Sequence, residues 1–170
     1  MRTIIFILLL SPVFGFAQKT DVLIKLTDAG GKQIKGESVL KGFENWMGAT
    51  TISSAGKNNA MLSFTMTVNG ASGDLKRAAA NGQLLFNGQV SVMAQNQSLG
   101  RPTIAYTIKM ENISVLSCYE TMGCNSIMNT VVSLQASRIG WTYYNQTTTG
   151  AQTVSRKFGW DADNNKEWVF

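Results

Sequence analysis

The chain has no histidine, and this absence removes the usual imidazole base and the usual zinc ligand. It contains neither a GxSxG nucleophile elbow nor a P-loop, because the stretch DAGGKQ (28–33) lacks the Walker spacing. Glycosidase chemistry needs paired carboxylates, and the one close pair, Asp161 and Asp163, lies in a predicted turn. We therefore expect no enzyme activity, no bound metal and no cofactor.

Charge is also scarce, since only 15% of the 170 residues are charged. The net charge of +5 comes from basic residues that are scattered along the sequence. No run reaches the five or six like charges that indicate a nucleic-acid-binding tail. The pattern favours a solvated basic surface, and we expect no nucleic-acid partner.

The long apolar run that a membrane helix requires is missing, but a shorter one lies at the N-terminus. Arg2 precedes an apolar run over Ile4–Leu10, and Gly15 and Ala17 occupy the small-residue positions of a cleavage site. This order predicts a signal peptide over residues 1–17 and a single domain over 18–170. The alternative is a buried N-terminal strand or helix. We expect a secreted or periplasmic protein without stable membrane insertion.

Cysteine is limited to Cys118 and Cys124 in the stretch SCYETMGCNS. Their spacing is not that of the CxxC redox motif. In an exported chain, two nearby cysteines favour a disulfide, which would stiffen a local turn. Two free thiols are the alternative.

Strict alternation of apolar and polar residues dominates the remaining sequence. MLSFTMTV (61–68), TIAYTIKM (103–110) and SRIGWTYY (137–144) each read as a half-buried strand, and Gly- and Asn-rich breaks separate most such segments. The alternation shifts by one residue at Asn112, which predicts a β-bulge. One short helix is predicted over about residues 72–81, with Ser72 as N-cap and Gly82 as the C-terminal stop. The class is mainly β, as a closed barrel or two packed sheets.

The stretch FGWDADNNKEW (158–168) permits two interpretations. Asp161, Asp163 and Asn165 have the spacing of calcium-loop ligands, but Lys166 stands where such a loop requires glycine. A hairpin is favoured instead, with the turn over 161–165 and a return strand over 168–170. Asx side chains suit such a turn because they bond the local backbone.

The order of motifs resembles the Hcp family, the tube protein of bacterial type VI secretion systems. The segments that carry the resemblance are IKGES (34–38), KGFENW (41–46), ASGDLKRAAANGQ (71–83), IAYTIKMENISVLS (104–117), IGWTYYNQ (139–146) and GWDADNNKEW (159–168). The resemblance implies a compact β-barrel of two packed sheets with one short α-helix. It also implies a non-catalytic homohexameric ring that stacks into a tube and carries secreted effector proteins.

The same resemblance suggests residues for the ring contacts, namely Glu44, Trp46, Leu75 and Arg77, each of which could instead belong to barrel packing or a solvated surface. We expect no fused toxin domain, because the chain ends at Phe170 directly after the last predicted strand. A signal peptide differs from the family pattern, whose members are made in the cytoplasm without one. The alternative function is an extracellular module that binds a glycan or a protein partner, with Trp160 and Trp168 as stacking platforms.

Overall fold

The computed structural model describes residues 21–55, 60–96, 99–123, 126–145 and 151–170. The elements within these ranges are β1 (Asp21–Asp28), β2 (Met47–Ala49), β3 (Thr51–Ala55), β4 (Met61–Thr67), α1 (Gly70–Asn81), β5 (Leu85–Asn96), β6 (Arg101–Met122), β7 (Met128–Asn145), β8 (Thr153–Asp161) and β9 (Lys166–Glu167). The mainly β fold with one short helix is confirmed.

All described strand pairs belong to one antiparallel sheet that follows the order β2-β1-β5-β6-β7-β4-β3, with β8 on β7 and β9 on β8. The two ends of this path are neighbours in the chain, because only Thr50 separates β2 from β3. The sheet therefore curls around one apolar core without closing its ladder. The two layers expected from the sequence are parts of this single curled sheet.

Alternation along the strands decides which side chains enter the core. Val22, Ile24 and Leu26 of β1 point into it, as do Leu62 and Phe64 of β4. The alternate residues of β1, namely Leu23, Lys25 and Thr27, lie on the opposite side of the sheet. We call this side, formed by β1, β5, β6 and β7, the outer face.

Helix α1 begins two residues earlier than the sequence predicts. Asn69 is the N-cap, and its side chain accepts a hydrogen bond from the Ala71 amide at 2.9 Å. Ser72, the predicted cap, is the third residue of the helix and completes a capping box by accepting from the Asn69 amide at 3.1 Å. Its hydroxyl is also within 2.7 Å of the Thr130 hydroxyl of β7, which anchors the helix to the sheet. The predicted stop at Gly82 is confirmed, with a left-handed φ of 62°.

The β-bulge predicted at Asn112 is wrong, because the strand register does not shift there. β6 keeps its register across this point, pairing Glu111 with Arg138 and Ile113 with Ala136. The alternation changes there because Asn112 has a left-handed backbone, with φ of 49°, so that Met110 and Ile113 both enter the core. The register shift between β6 and β7 lies further along, between Val115 and Ser117. A side-chain pattern alone does not distinguish these two geometries.

The C-terminal hairpin is confirmed with different boundaries. Asp161 ends β8, and the return strand consists of Lys166–Glu167 and not of residues 168–170. The chain continues beside β8, with the Trp168 amide donating to the Gly159 carbonyl at 3.0 Å. Residues 168–170 then cover the outer face, where the Phe170 ring lies directly against the Gly140 backbone of β7.

Two predictions involve residues outside the described ranges, namely the signal peptide over 1–17 and the Cys124 half of the disulfide. Within the described ranges Cys118 has no disulfide partner; it is partly buried between β6 and α1, with Sγ at 3.9 Å from the Ser72 carbonyl oxygen. Burial raises the pKa of this thiol. Within the described ranges, none of the helices has the length and apolarity needed to cross a membrane.

Candidate assembly surface

The segment between β1 and β2 projects two apolar side chains into solvent. Its arms are joined by backbone hydrogen bonds, including one from the Gly36 amide to the Asn45 carbonyl at 2.8 Å. Val39, at the far end, is 93% exposed, and Leu40 beside it is also exposed. We call these two residues the loop patch.

Two of the four predicted ring contacts are buried within the protomer. Leu75 is completely buried on the core side of α1, together with Ala71 and Ala78. Trp46 packs with Leu23 and Met93 on the outer face. Both side chains are packed inside the protomer, and as ring contacts both residues remain predictions. A sequence motif identifies these residues, but it does not show whether their side chains point into the protomer or away from it.

The other two predicted contacts, Glu44 and Arg77, are exposed. The Glu44 carboxylate accepts from the Gly42 amide at 3.0 Å, and this backbone hydrogen bond lowers its pKa. Arg77 donates to Asp74 at 2.8 Å along the helix surface. Both charged groups are on the surface and remain predictions as ring contacts.

Two further apolar surfaces were not predicted from the sequence. The hairpin patch lies where β6 meets β7, and it consists of Tyr119, Met122, Ile127 and Met128, all exposed. The β8 patch consists of Tyr143 and Phe158, whose rings lie together, and of Val154 nearer the start of β8, all three exposed. An alternating strand pattern identifies an apolar face but does not show whether a neighbouring element covers it. The sequence feature that could have indicated the hairpin patch is the length of the β6 and β7 segments, whose joined ends extend beyond the core.

Aromatic stacking orders the β8 patch. The Phe158 ring stacks on Trp141 with a centroid distance of 4.9 Å and lies 6.3 Å from Tyr143. Tyr143 in turn stacks on Tyr106 at 5.5 Å, and burial, followed by the proximity of Tyr143, raises the pKa of Tyr106. The patch is therefore a continuation of the core that emerges at the surface.

The strand below this patch has an open edge. β8 pairs with β7 along one side, whereas β9 pairs only with Trp160 and Asp161 on the other. Within the described part of the chain, residues 153–157 consequently have no strand partner on that second side. An open edge is a template for pairing with another chain, and Arg156 and Lys157 place charges along it.

An ionic cluster fixes the C-terminal hairpin to the sheet. Arg138 of β7 donates to Glu111 of β6 and to Asp161 of β8, both at 3.1 Å. Asp161 also accepts from the side chain and amide of Asn164 in the turn. These hydrogen bonds, those from Asn164 first, lower the pKa of Asp161. Its carboxylate is thus directed at Arg138 and Asn164, as expected for a structural turn.

A comparison with protein-family models identifies the family to which this chain belongs. A family model described as "Type VI secretion system effector, Hcp" matches residues 24–143, which is more than half of the chain. The chain belongs to the Hcp family. Hcp is a component of type VI secretion, and the family is structural. A search of curated proteins gives no match.

Solved structures show the same fold at low sequence identity. Hcp1 from Salmonella typhimurium superposes with a TM-score of 0.70 at 19% identity, covering 88% of this chain and 99% of its own. A structure described as a type six secretion system protein has a TM-score of 0.73 at 20% identity, with coverages of 88% and 100%. The secreted protein Hcp3 from Pseudomonas aeruginosa has a TM-score of 0.62 at 16% identity, covering 81% of this chain and 97% of its own. These likenesses establish that the Hcp fold extends over most of the chain.

Proposed function

We propose that this Hcp-family protein is a non-catalytic structural subunit that forms homohexameric rings, which stack into a tube and carry effector proteins. Family membership supports a role in type VI secretion. The observation that supports self-assembly is the presence of separate apolar surfaces on one protomer, namely the loop, hairpin and β8 patches. Contiguous exposed apolar surface is typical of protein interaction sites.

A ring needs a head-to-tail contact between two different surfaces of the same molecule. The protomer offers such surfaces on different elements, since the β8 patch lies on β7 and β8 and the loop patch lies between β1 and β2. We place the β8 patch and its open edge in the ring contact, because together they supply both apolar area and unpaired backbone groups. Glu44 and Arg77 are proposed to lie at the same contact or at its rim.

Light scattering after size exclusion, followed by negative-stain microscopy, tests the assembly of the protein beginning at Gln18. We expect a discrete six-subunit ring. Val154→Glu should give monomers because it places a charge in the β8 patch, and Glu44→Ala and Arg77→Ala should weaken the ring. Lys32→Ala, which removes an exposed cation from the turn that follows β1, is the matched control. A monomer at high concentration would contradict ring formation. A ring that persists in Val154→Glu would contradict the place of the β8 patch in the ring contact.

We also propose that the protein is exported after cleavage of residues 1–17. Ring assembly would then take place outside the cytoplasm, which distinguishes this subunit from family members made without a signal peptide. N-terminal sequencing of the protein from cell envelope and culture medium tests this directly. The expected first residue is Gln18, whereas an intact Met1 in the cytoplasmic fraction would argue for assembly inside the cell.

A further inference from the structure

A cavity of about 510 Å³ lies on the outer face, between the sheet and the C-terminal segment. We call it the outer groove. Its floor is a cross-strand row in which Lys25 of β1 pairs with Gln89 of β5, and Gln89 pairs with Lys109 of β6. Trp168 and Phe170 line one side. Its volume is in the range of about 300–1,000 Å³ that small-molecule sites occupy.

The groove has an excess of positive charge. Lys25 and Lys109 lie two strands apart, which places their Cα atoms about 10 Å from each other. The Glu111 carboxylate at the edge of the groove is already paired with Arg138. Within the described ranges, no carboxylate pairs with either lysine, and the Lys109 ammonium lies 5.8 Å from the centre of the Phe170 ring. The groove lining has three cationic side chains, Lys25, Lys109 and Arg138, and one carboxylate, Glu111, and this balance favours an anionic ligand.

The aromatic side of the groove is held in place by packing. The Trp168 and Phe170 rings stack with a centroid distance of 4.7 Å. A side chain at Gly140 would overlap the Phe170 ring, so the two aromatic residues depend on the glycines of β7 and β8 for their position. Lys157 also donates to the main-chain oxygen of Phe170. The wall is thus positioned before any ligand binds.

Amide side chains complete the set of groups. Gln89 lies between the two lysines in the row, and Asn87 lies two residues away on the same face of β5. Each carries hydrogen-bond donors and an acceptor. A ligand that suits the whole groove therefore combines an anionic group, several hydroxyls and a flat apolar face.

We propose that the outer groove binds an acidic saccharide. Its carboxylate would lie between Lys25 and Lys109, its hydroxyls would bond the amides of Gln89 and Asn87, and the apolar face of a sugar ring would contact the Trp168–Phe170 wall. Phosphate shares the anionic chemistry but offers no apolar ring face. None of the groove residues belongs to the β8 patch, so ligand binding and ring assembly can be tested with separate variants.

Isothermal titration of the protein beginning at Gln18 with oligogalacturonate tests the proposal, with neutral galacto-oligosaccharide and inorganic phosphate as comparison ligands. We expect oligogalacturonate to bind, and to bind more weakly as salt rises, because exposed charges are screened. Lys25→Gln and Lys109→Gln should each reduce its affinity about tenfold, as expected for one charge-assisted contact. Lys32→Gln, at an exposed lysine outside the groove, should leave the affinity unchanged.

Trp168→Ala should weaken oligogalacturonate while leaving the binding of inorganic phosphate as it was. Thermal melting of each variant confirms that the lysine substitutions leave the fold intact. The proposal is overturned if oligogalacturonate does not bind, or if both groove variants behave like Lys32→Gln. It is also overturned if inorganic phosphate binds equally well and Trp168→Ala has no effect, since the groove would then be a simple anion site.

Discussion

Two aromatic segments cover opposite ends of the outer face, but only one of them leaves a groove between itself and the sheet. The segment before β2 places Phe43 and Trp46 over Leu23, Met93 and Ile104. The C-terminal segment places Trp168 and Phe170 over Gly140 and Gly159 and beside Lys25 and Lys109. The first forms a second apolar cluster, whereas the second leaves a charged groove.

The difference arises from the sheet and not from the covering residues. Leu23 and Lys25 are two residues apart on the same face of β1, yet the first is buried under Trp46 and the second lines the groove. Apolar outward residues allow an aromatic cover to exclude water, whereas charged ones keep the space between cover and sheet hydrated. A covering segment therefore becomes core or site according to the residues beneath it.

The largest expected effect comes from Trp46→Ala, which removes the main cover at the apolar end. We expect a loss of about 3–5 kcal/mol in the free energy of unfolding, as for other buried aromatic side chains. Trp168→Ala is the matched variant at the charged end, and it should cost about 1 kcal/mol because this indole is only partly buried. Urea unfolding of both measures the difference, and equal losses would invalidate the comparison.

A smaller effect is expected from Gly140→Val, which introduces a side chain where the Phe170 ring lies. Overpacking of this kind costs about 1–3 kcal/mol and should release the C-terminal segment from the sheet. Faster amide exchange at Trp168 would report that release. The control is Gly73→Ala, where a side chain meets no atom within 4 Å and should stabilise the helix by about 0.5–1 kcal/mol. Unchanged exchange in Gly140→Val would show that Phe170 has another anchor.

The smallest effect concerns Asp161, which holds the C-terminal hairpin through Asn164 and Arg138. Its pKa is lower in the folded protein than in the unfolded chain. The stabilisation is therefore present above the ordinary aspartate value of about 3.9 and is lost as the pH falls through the folded pKa. Asp161→Asn should lower the urea midpoint at pH 7, with the gap to wild type narrowing towards pH 3. A gap that is independent of pH would assign the effect to packing instead of charge.

The sequence predicted local features well where one pattern had one structural solution. Alternation placed Leu62, Phe64 and Ile108 in the core, and Gly82 ended the helix as expected. The predictions were less exact at Asn69 and Asn112. A capping box contains two residues that could each be the N-cap, and a left-handed residue changes the side-chain alternation in the same way as a bulge. Of the four predicted ring contacts, Trp46 and Leu75 are buried, since a motif gives position in the chain but not the direction of a side chain.

The sequence by itself determined the strand-rich fold, the single helix, the C-terminal hairpin and the resemblance to Hcp, because each depends on short-range pattern or on the order of motifs. Only the tertiary structure decided the curled path of the sheet, the three apolar patches and the outer groove. Each of these joins residues far apart in the chain, as when Lys25, Gln89, Lys109 and Phe170 meet at one site. Such proximity follows from strand register and from the glycines that admit Phe170, and neither is visible in local periodicity.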